Sequence, residues 1–108
     1  MNKYTELSDF EVNEKVAENL KLNTIAYERT EIVLFDDMDA TPFNPCNSPS
    51  DAMPIINEYG ISLIYQDRQF QFATNDGNIE CCIANPLKAA MIIFLCIKDS
   101  ENENNNNS

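Results

Sequence analysis

The chain has 108 residues, 44% of them hydrophobic, which is enough for one domain with a single hydrophobic core. Its 18 acidic residues outnumber 7 basic ones and give a formal charge of -11, so phosphate backbones would be repelled. Histidine does not occur, which removes the commonest general base and metal ligand and makes catalysis a weaker expectation.

The first helix is predicted to begin after Ser8. Ser8 and Glu11 have the spacing of a capping box, in which each side chain accepts a hydrogen bond from the backbone N–H of the other residue. Val12, Val16 and Leu20 recur every four residues and predict one buried face. The polar positions of the helix are assigned to solvent: Glu11, Asn13, Glu14, Lys15, Glu18 and Asn19.

A hairpin is predicted next. The residues between Asn23 and Asp36 are rich in β-branched and aromatic side chains, which favours two short strands near 24–28 and 31–36. One long strand is the alternative. Three prolines then predict an ordered loop over residues 37–49.

The second helix is predicted to run from Ser48 to Gly60. Ser48 is a suitable N-cap, Pro49 suits the first helical position, and Asp51 completes a pair that resembles a capping box. Gly60 is expected to end the helix in a left-handed conformation. Pro54 removes one backbone hydrogen bond, so the helix is expected either to start later or to bend there.

Residues 61–83 predict a three-stranded antiparallel meander, because apolar residues alternate and turn sequences lie at 67–68 and 75–78. Tyr65 is assigned to the buried face by this alternation. Asn85 is expected to cap the last helix, whose residues up to Lys98 are almost all apolar. Such a helix is normally surrounded, so we expect it to lie on the sheet.

These elements predict an α+β fold, in which an antiparallel sheet of about four to five strands packs against three helices and the C-terminal helix is central. The single domain is expected to cover residues 1–98. Residues 99–108 contain no apolar side chain and are expected to form a disordered tail. The acidic N-terminus does not resemble a signal peptide, and no apolar run approaches the roughly 20 residues of a membrane helix, so a cytoplasmic protein is expected.

The four cysteines predict reduced thiols. No CxxC pair occurs among the four: Cys46, Cys81, Cys82 and Cys96. The adjacent Cys81 and Cys82 are expected to point to opposite faces of a strand. Cys81 and Cys96 lie on apolar faces and are expected in the core. Cys46 has no base or cation beside it in the sequence, which favours a buried thiol over a nucleophile.

Three clustered carboxylates are the other candidates for chemistry. Asp36, Asp37 and Asp39 offer oxygens for a hard cation, but they lack the spacing of a calcium loop. The simpler interpretation is a solvated strand end. No metal site and no cofactor is therefore predicted.

The densest group of polar side chains covers residues 43–51, at the start of the second helix. One interpretation is that amides, hydroxyls and carboxylate satisfy only turn and cap hydrogen bonds. The other is a small polar recognition site or a loop that contacts a partner. The candidate binding loop consists of Phe43, Asn44, Cys46, Asn47, Ser48 and Asp51.

Three blocks of the sequence resemble the hallmark blocks of the NinX-like proteins of phages and prophages. They are YTELSDFEVNEKVA near the start, FNPCNSPSDAMPII in the middle and NPLKAAMIIFLCIK near the end. The resemblance implies a phage or prophage accessory protein that acts in the bacterial cytoplasm. It supplies no catalytic residue.

We therefore expect a non-catalytic protein-interaction module. Its partner is expected to be a host or phage protein, bound through the acidic surface or the candidate binding loop, with no direct contact to nucleic acid or membrane. The apolar last helix leaves a homodimer open. Two alternatives are an acidic nucleic-acid mimic that inhibits a host DNA-binding protein, and a small enzyme that uses a metal or the thiol of Cys46.

Overall fold

The computed structural model describes the backbone of residues 3–106 and the side chains of residues 3–103. It confirms an α+β fold with three helices and antiparallel strands. In chain order the elements are α1 (Asp9–Asn19), β1 (Thr24–Tyr27), β2 (Ile32–Phe35), α2 (Pro49–Tyr59), β3 (Ser62–Gln66), β4 (Gln69–Asn75), β5 (Ile79–Cys81) and α3 (Pro86–Asn106).

The strands form two antiparallel sheets, so the prediction of one sheet is wrong. β1 pairs with β2, and β3, β4 and β5 form a separate meander in that order. The reason lies at the second edge of β2, where the backbone N–H of Phe43 donates to the carbonyl of Val33 at 2.8 Å and that of Phe35 donates to the carbonyl of Thr41 at 2.9 Å. The loop after β2 thus occupies the second edge of β2, so β3 does not pair there.

The hairpin and the meander are otherwise where the sequence predicts them. A register shift between Ile64 and Tyr65 interrupts the pairing of β3 with β4. Tyr65 is 54% exposed, so its assignment to the buried face is wrong. The extra residue of the irregularity is Gln71 in β4, and beyond it Tyr65 pairs with Phe70 near the end of the hairpin, where its ring meets that of Phe70 edge to face at 5.5 Å and stays half in solvent.

The helix ends show which sequence signals predicted a helix boundary correctly. The capping box between Ser8 and Glu11 is present at the start of α1. Gly60 ends α2 with a φ of 64°, as predicted. Ser48 is the N-cap of α2 but makes no side-chain capping bond, and α2 contains Pro54 without a later start. Ser48 is therefore at the expected position, but the expected capping hydrogen bond of its side chain is wrong.

α3 lies at the centre of the packing. The side chains from Ala89 to Leu95 are at most 1% exposed, and α3 packs against both other helices and against the three-stranded sheet. The Phe94 ring meets the Tyr59 ring of α2 edge to face at 4.9 Å between centroids. Burying each large apolar side chain of this stretch contributes about 1.5–3 kcal/mol before chain entropy is counted.

α3 also continues beyond the predicted end of the ordered chain. Residues 99–106 are helical, where a disordered tail was expected, and residues 107–108 lie outside the described part of the chain. The Tyr4 hydroxyl donates a 2.6 Å hydrogen bond to Asp99, and Lys98 pairs with Glu101 at 3.3 Å. The first contact joins the polar extension to the N-terminal segment, and the second lies within α3. Within residues 3–106, no helix is long and apolar enough to cross a membrane.

Candidate functional site

The candidate binding loop lies between α1 and the start of α3. The Asn13 side chain donates to Asn44 Oδ1 at 2.8 Å and accepts from the backbone N–H of Cys46 at 3.0 Å. The Asn85 side chain donates to the Cys46 carbonyl at 2.7 Å. Both polar groups of the Cys46 backbone are therefore bound by asparagines from other elements, and the loop joins α1 to α3.

Asn13 is a functional candidate that the sequence pattern missed. It was assigned to solvent, yet it is only 5% exposed. Asn13 lies three residues after Phe10 and four before Ala17, both buried, so these positions form one stripe of the helix. That spacing is the sequence signal for the burial of Asn13. A buried polar side chain needs hydrogen-bond partners, however, and here the loop provides them.

A second set of contacts fixes the loop to the first turn of α1. Asp9 accepts a 3.0 Å hydrogen bond from Asn47 and forms a 3.1 Å ion pair with Lys88 of α3. The Lys88 ammonium also donates to the Leu7 carbonyl at 2.7 Å. The hydrogen bond from Asn47, aided by Lys88, lowers the pKa of Asp9. This carboxylate is therefore charged at neutral pH and bound by two elements.

Cys46 is a buried thiol, as predicted. It is 0% exposed, and its Sγ lies 3.7 Å from the Asp9 carbonyl oxygen. Burial, with a smaller contribution from the negative charge of Asp9, raises the pKa of the Cys46 thiol to about 12. The thiol therefore keeps its proton at neutral pH, and a nucleophilic role would require both exposure and ionisation.

The other loop residues mostly point inward. Phe43 is 4% exposed and meets the Phe35 ring edge to face at 5.6 Å. Asp51 accepts from the backbone N–H of Asn44 at 2.9 Å, which replaces the expected pairing with Ser48. The Ser48 hydroxyl lies 3.0 Å from that of Ser50. Asn47 is exposed, but its amide donates to Asp9 and Asn44, so the loop forms a wall rather than an open polar site.

A cleft of about 210 Å³ lies between this wall, α1 and β2. Phe10, Val33 and Phe43 contribute buried apolar side chains to its lining. Asp9 and Glu31 contribute carboxylates. Pockets for drug-sized ligands usually measure about 300–1,000 Å³. The cleft therefore has the size of a site for one side chain.

An apolar stripe adjoins the cleft on the outer face of the hairpin. Ile25, Tyr27 and Ile32 are 41%, 46% and 42% exposed. Tyr27 is directly opposite Ile32 in the strand register, and Ile25 lies two residues before Tyr27, so the three side chains share one face. Ile32 also lines the cleft, so the apolar stripe meets the cleft at this residue.

The remaining candidates for chemistry lie apart from this surface. Asp37 accepts hydrogen bonds from the backbone N–H groups of Asp39 and Ala40 at 3.1 and 2.8 Å, so it closes a turn. Among side chains 3–103, no three histidine, cysteine, aspartate or glutamate residues converge as metal ligands. All four cysteines are free thiols: Cys46 and Cys81 are buried, Cys96 is half-buried and Cys82 is exposed.

Comparison with known proteins places the chain in a family. No curated protein and no solved structure matches it. The family model described as Bacteriophage P22, NinX matches residues 3–98, a range that includes all three hallmark blocks and every residue of the cleft. The chain therefore belongs to the bacteriophage P22 NinX family.

Proposed function

We propose that the protein is a non-catalytic interaction module that binds a host or phage protein in the bacterial cytoplasm. The observation that carries the proposal is the exposed apolar stripe, which meets the cleft at Ile32. The candidate binding loop takes part as the wall of the cleft, through Phe43, Asn44 and Asn47. Membership of a phage protein family supports a role in the infected or lysogenic cell.

The apolar stripe has the composition of a protein-binding surface. Large apolar side chains scattered singly on a surface need no explanation, whereas contiguous ones mark sites of interaction. Ile25, Tyr27 and Ile32 lie together on one face of a two-stranded sheet. Tyrosine is enriched at the energetically important centres of interfaces. A partner that covers this face would remove these side chains from water.

The hydrogen bonds behind the cleft support binding rather than catalysis. Asn13, Asn44 and Asn85 direct their side chains to the backbone and to one another, which holds the loop in place. Cys46, the nucleophile of the enzyme alternative, is protonated and buried. A surface held this firmly binds a partner with little loss of conformational freedom.

The test is affinity capture by the tagged full chain in infected or lysogenic cells, with two matched variants. Ile32→Ser removes one residue shared by the cleft and the apolar stripe. Ile64→Ser is the control, because Ile64 is 36% exposed and faces Phe72 in the other sheet, just as Ile32 is 42% exposed and faces Tyr27. Both changes cause the same loss of strand propensity and leave the net charge unchanged.

We expect the wild type and Ile64→Ser to retain the same partner and Ile32→Ser to lose most of it. Equal recovery by the two variants, or no partner at stoichiometric amounts in several hosts, would contradict the proposal. A captured DNA-binding protein that competitor DNA releases would instead support the nucleic-acid mimic. Light scattering on the purified chain tests the homodimer separately.

A further inference from the structure

The charged side chains that line the cleft are both acidic. Asp9 lies on one side, at the start of α1, and Glu31 lies on the other, in the turn before β2. Among the described side chains, no lysine or arginine lines the cleft. Phe10, Val33 and Phe43 contribute apolar surface to the cleft, and three asparagines contribute amides: Asn13, Asn44 and Asn47. The cleft therefore combines apolar and amide surface with two carboxylates.

This combination matches the chemistry of a long cationic side chain. Lysine and arginine have an apolar stem that packs on hydrophobic surface and a charged end that stays near water or an anion. We propose that the cleft receives a lysine or arginine side chain of the partner protein, and this inference rests on the proposed function. The volume of about 210 Å³ suits one such side chain rather than a larger ligand.

Of the two carboxylates, Glu31 provides most of the selectivity for a cationic over an uncharged side chain. The charge of Asp9 is already partly balanced by Lys88, whose ammonium lies 3.1 Å from it. Glu31 is exposed, and its backbone N–H donates to the Tyr27 carbonyl at 2.8 Å, which fixes its position in the turn. The net charge of -11 adds long-range attraction for a basic partner.

The apolar stripe defines what lies next to the cation. Because Ile32 belongs to both surfaces, a chain that places its cationic side chain in the cleft comes next to Ile32, whose cross-strand neighbour is Tyr27. Apolar side chains beside the cation would pack there. The partner segment is therefore a cationic residue followed or preceded by apolar residues.

The experiment is an NMR titration of the isotope-labelled full chain with three probes. N-acetyl-lysinamide and N-acetyl-argininamide carry the cation, and N-acetyl-norleucinamide has the lysine stem without its ammonium. We expect the cationic probes to shift the backbone amide signals of Phe10, Asn13 and Phe43. Their affinity should exceed that of the norleucine probe by about two- to fivefold, the range of an exposed ion pair.

Glu31→Gln should remove most of this preference without changing the affinity for the norleucine probe. Glu58→Gln is the matched control, because Glu58 is an exposed carboxylate on α2 outside the cleft. The inference is overturned if norleucinamide binds as well as lysinamide, if Glu31→Gln leaves the preference intact, or if no probe shifts the cleft signals. Loss of the captured partner by Ile32→Ser would still uphold the proposed function, so the two failures are distinguishable.

Discussion

Substituting Asn13 with alanine tests whether the polar network between α1 and the loop stabilises the fold. Asn13 is 5% exposed and makes two hydrogen bonds through its side chain. The substitution leaves the backbone N–H of Cys46, a fully buried residue, without its partner. Asn44 Oδ1 is affected less, because it also accepts a hydrogen bond from Asn47 at 3.1 Å.

The expected loss of stability is the sum of these two unequal effects. An orphaned buried N–H costs about 1–3 kcal/mol, and a lost hydrogen bond whose acceptor keeps another partner costs about 0.5–1.5 kcal/mol. Alanine has the higher helix propensity, which offsets about 0.5 kcal/mol. The free energy of unfolding should therefore fall by about 1–4 kcal/mol in Asn13→Ala.

Asn19→Ala is the control, because it makes the same exchange in the same helix. The Asn19 side chain donates only to the Lys15 carbonyl within α1. Its substitution should change the free energy of unfolding by less than about 0.5 kcal/mol. Urea unfolding, followed by circular dichroism at about 222 nm, measures the free energy of unfolding of both variants. An unchanged m value shows that each variant exposes the same surface on unfolding as the wild type. Equal losses in the two variants would refute the role assigned to Asn13.

Two further predictions concern the thiols and the carboxylate beside the network. In thiol labelling followed by mass spectrometry, the reagent should modify the exposed Cys82 first and the buried Cys46 only at the rate of unfolding. Equal labelling rates of the two thiols in the native protein would contradict the burial of Cys46. The lowered pKa of Asp9 stabilises the folded chain above the ordinary aspartate pKa of about 3.9, and this stabilisation is lost as pH falls through the folded value. The difference in the free energy of unfolding between the wild type and Asp9→Asn should therefore shrink below about pH 4. Urea unfolding from neutral to acidic pH measures this difference. A difference that stays constant would show that ionisation of Asp9 does not contribute to stability.

The local structure of this protein was largely predictable because its signals act over a few residues. Ser8 and Glu11 cap α1, and Gly60 supplies the positive φ that ends α2. The meander follows from alternating residues and short turns. The apolar stretch of α3 requires burial on every side, and the structure provides it. Each of these features depends on residues that are neighbours in the sequence.

The site, in contrast, depends on contacts between distant parts of the chain. Asn13 meets Asn44 and Cys46, and Asn85 reaches back to Cys46 across 39 positions. The edge of β2 is taken by the loop that follows it, which separates the two sheets. Helical periodicity assigned Asn13 to water because the pattern contains no information about a partner that only folding brings near.

The amino-acid sequence alone therefore determined the class of fold, the order of its helices and strands, and the family of the protein. Only the tertiary structure decided that Asn13 is buried, that Cys46 is held as a protonated thiol and that an acidic cleft adjoins an apolar stripe. The physical reason is that hydrogen bonding, burial and charge at this surface depend on distances in space, and those distances arise only when α1, the loop and α3 pack together.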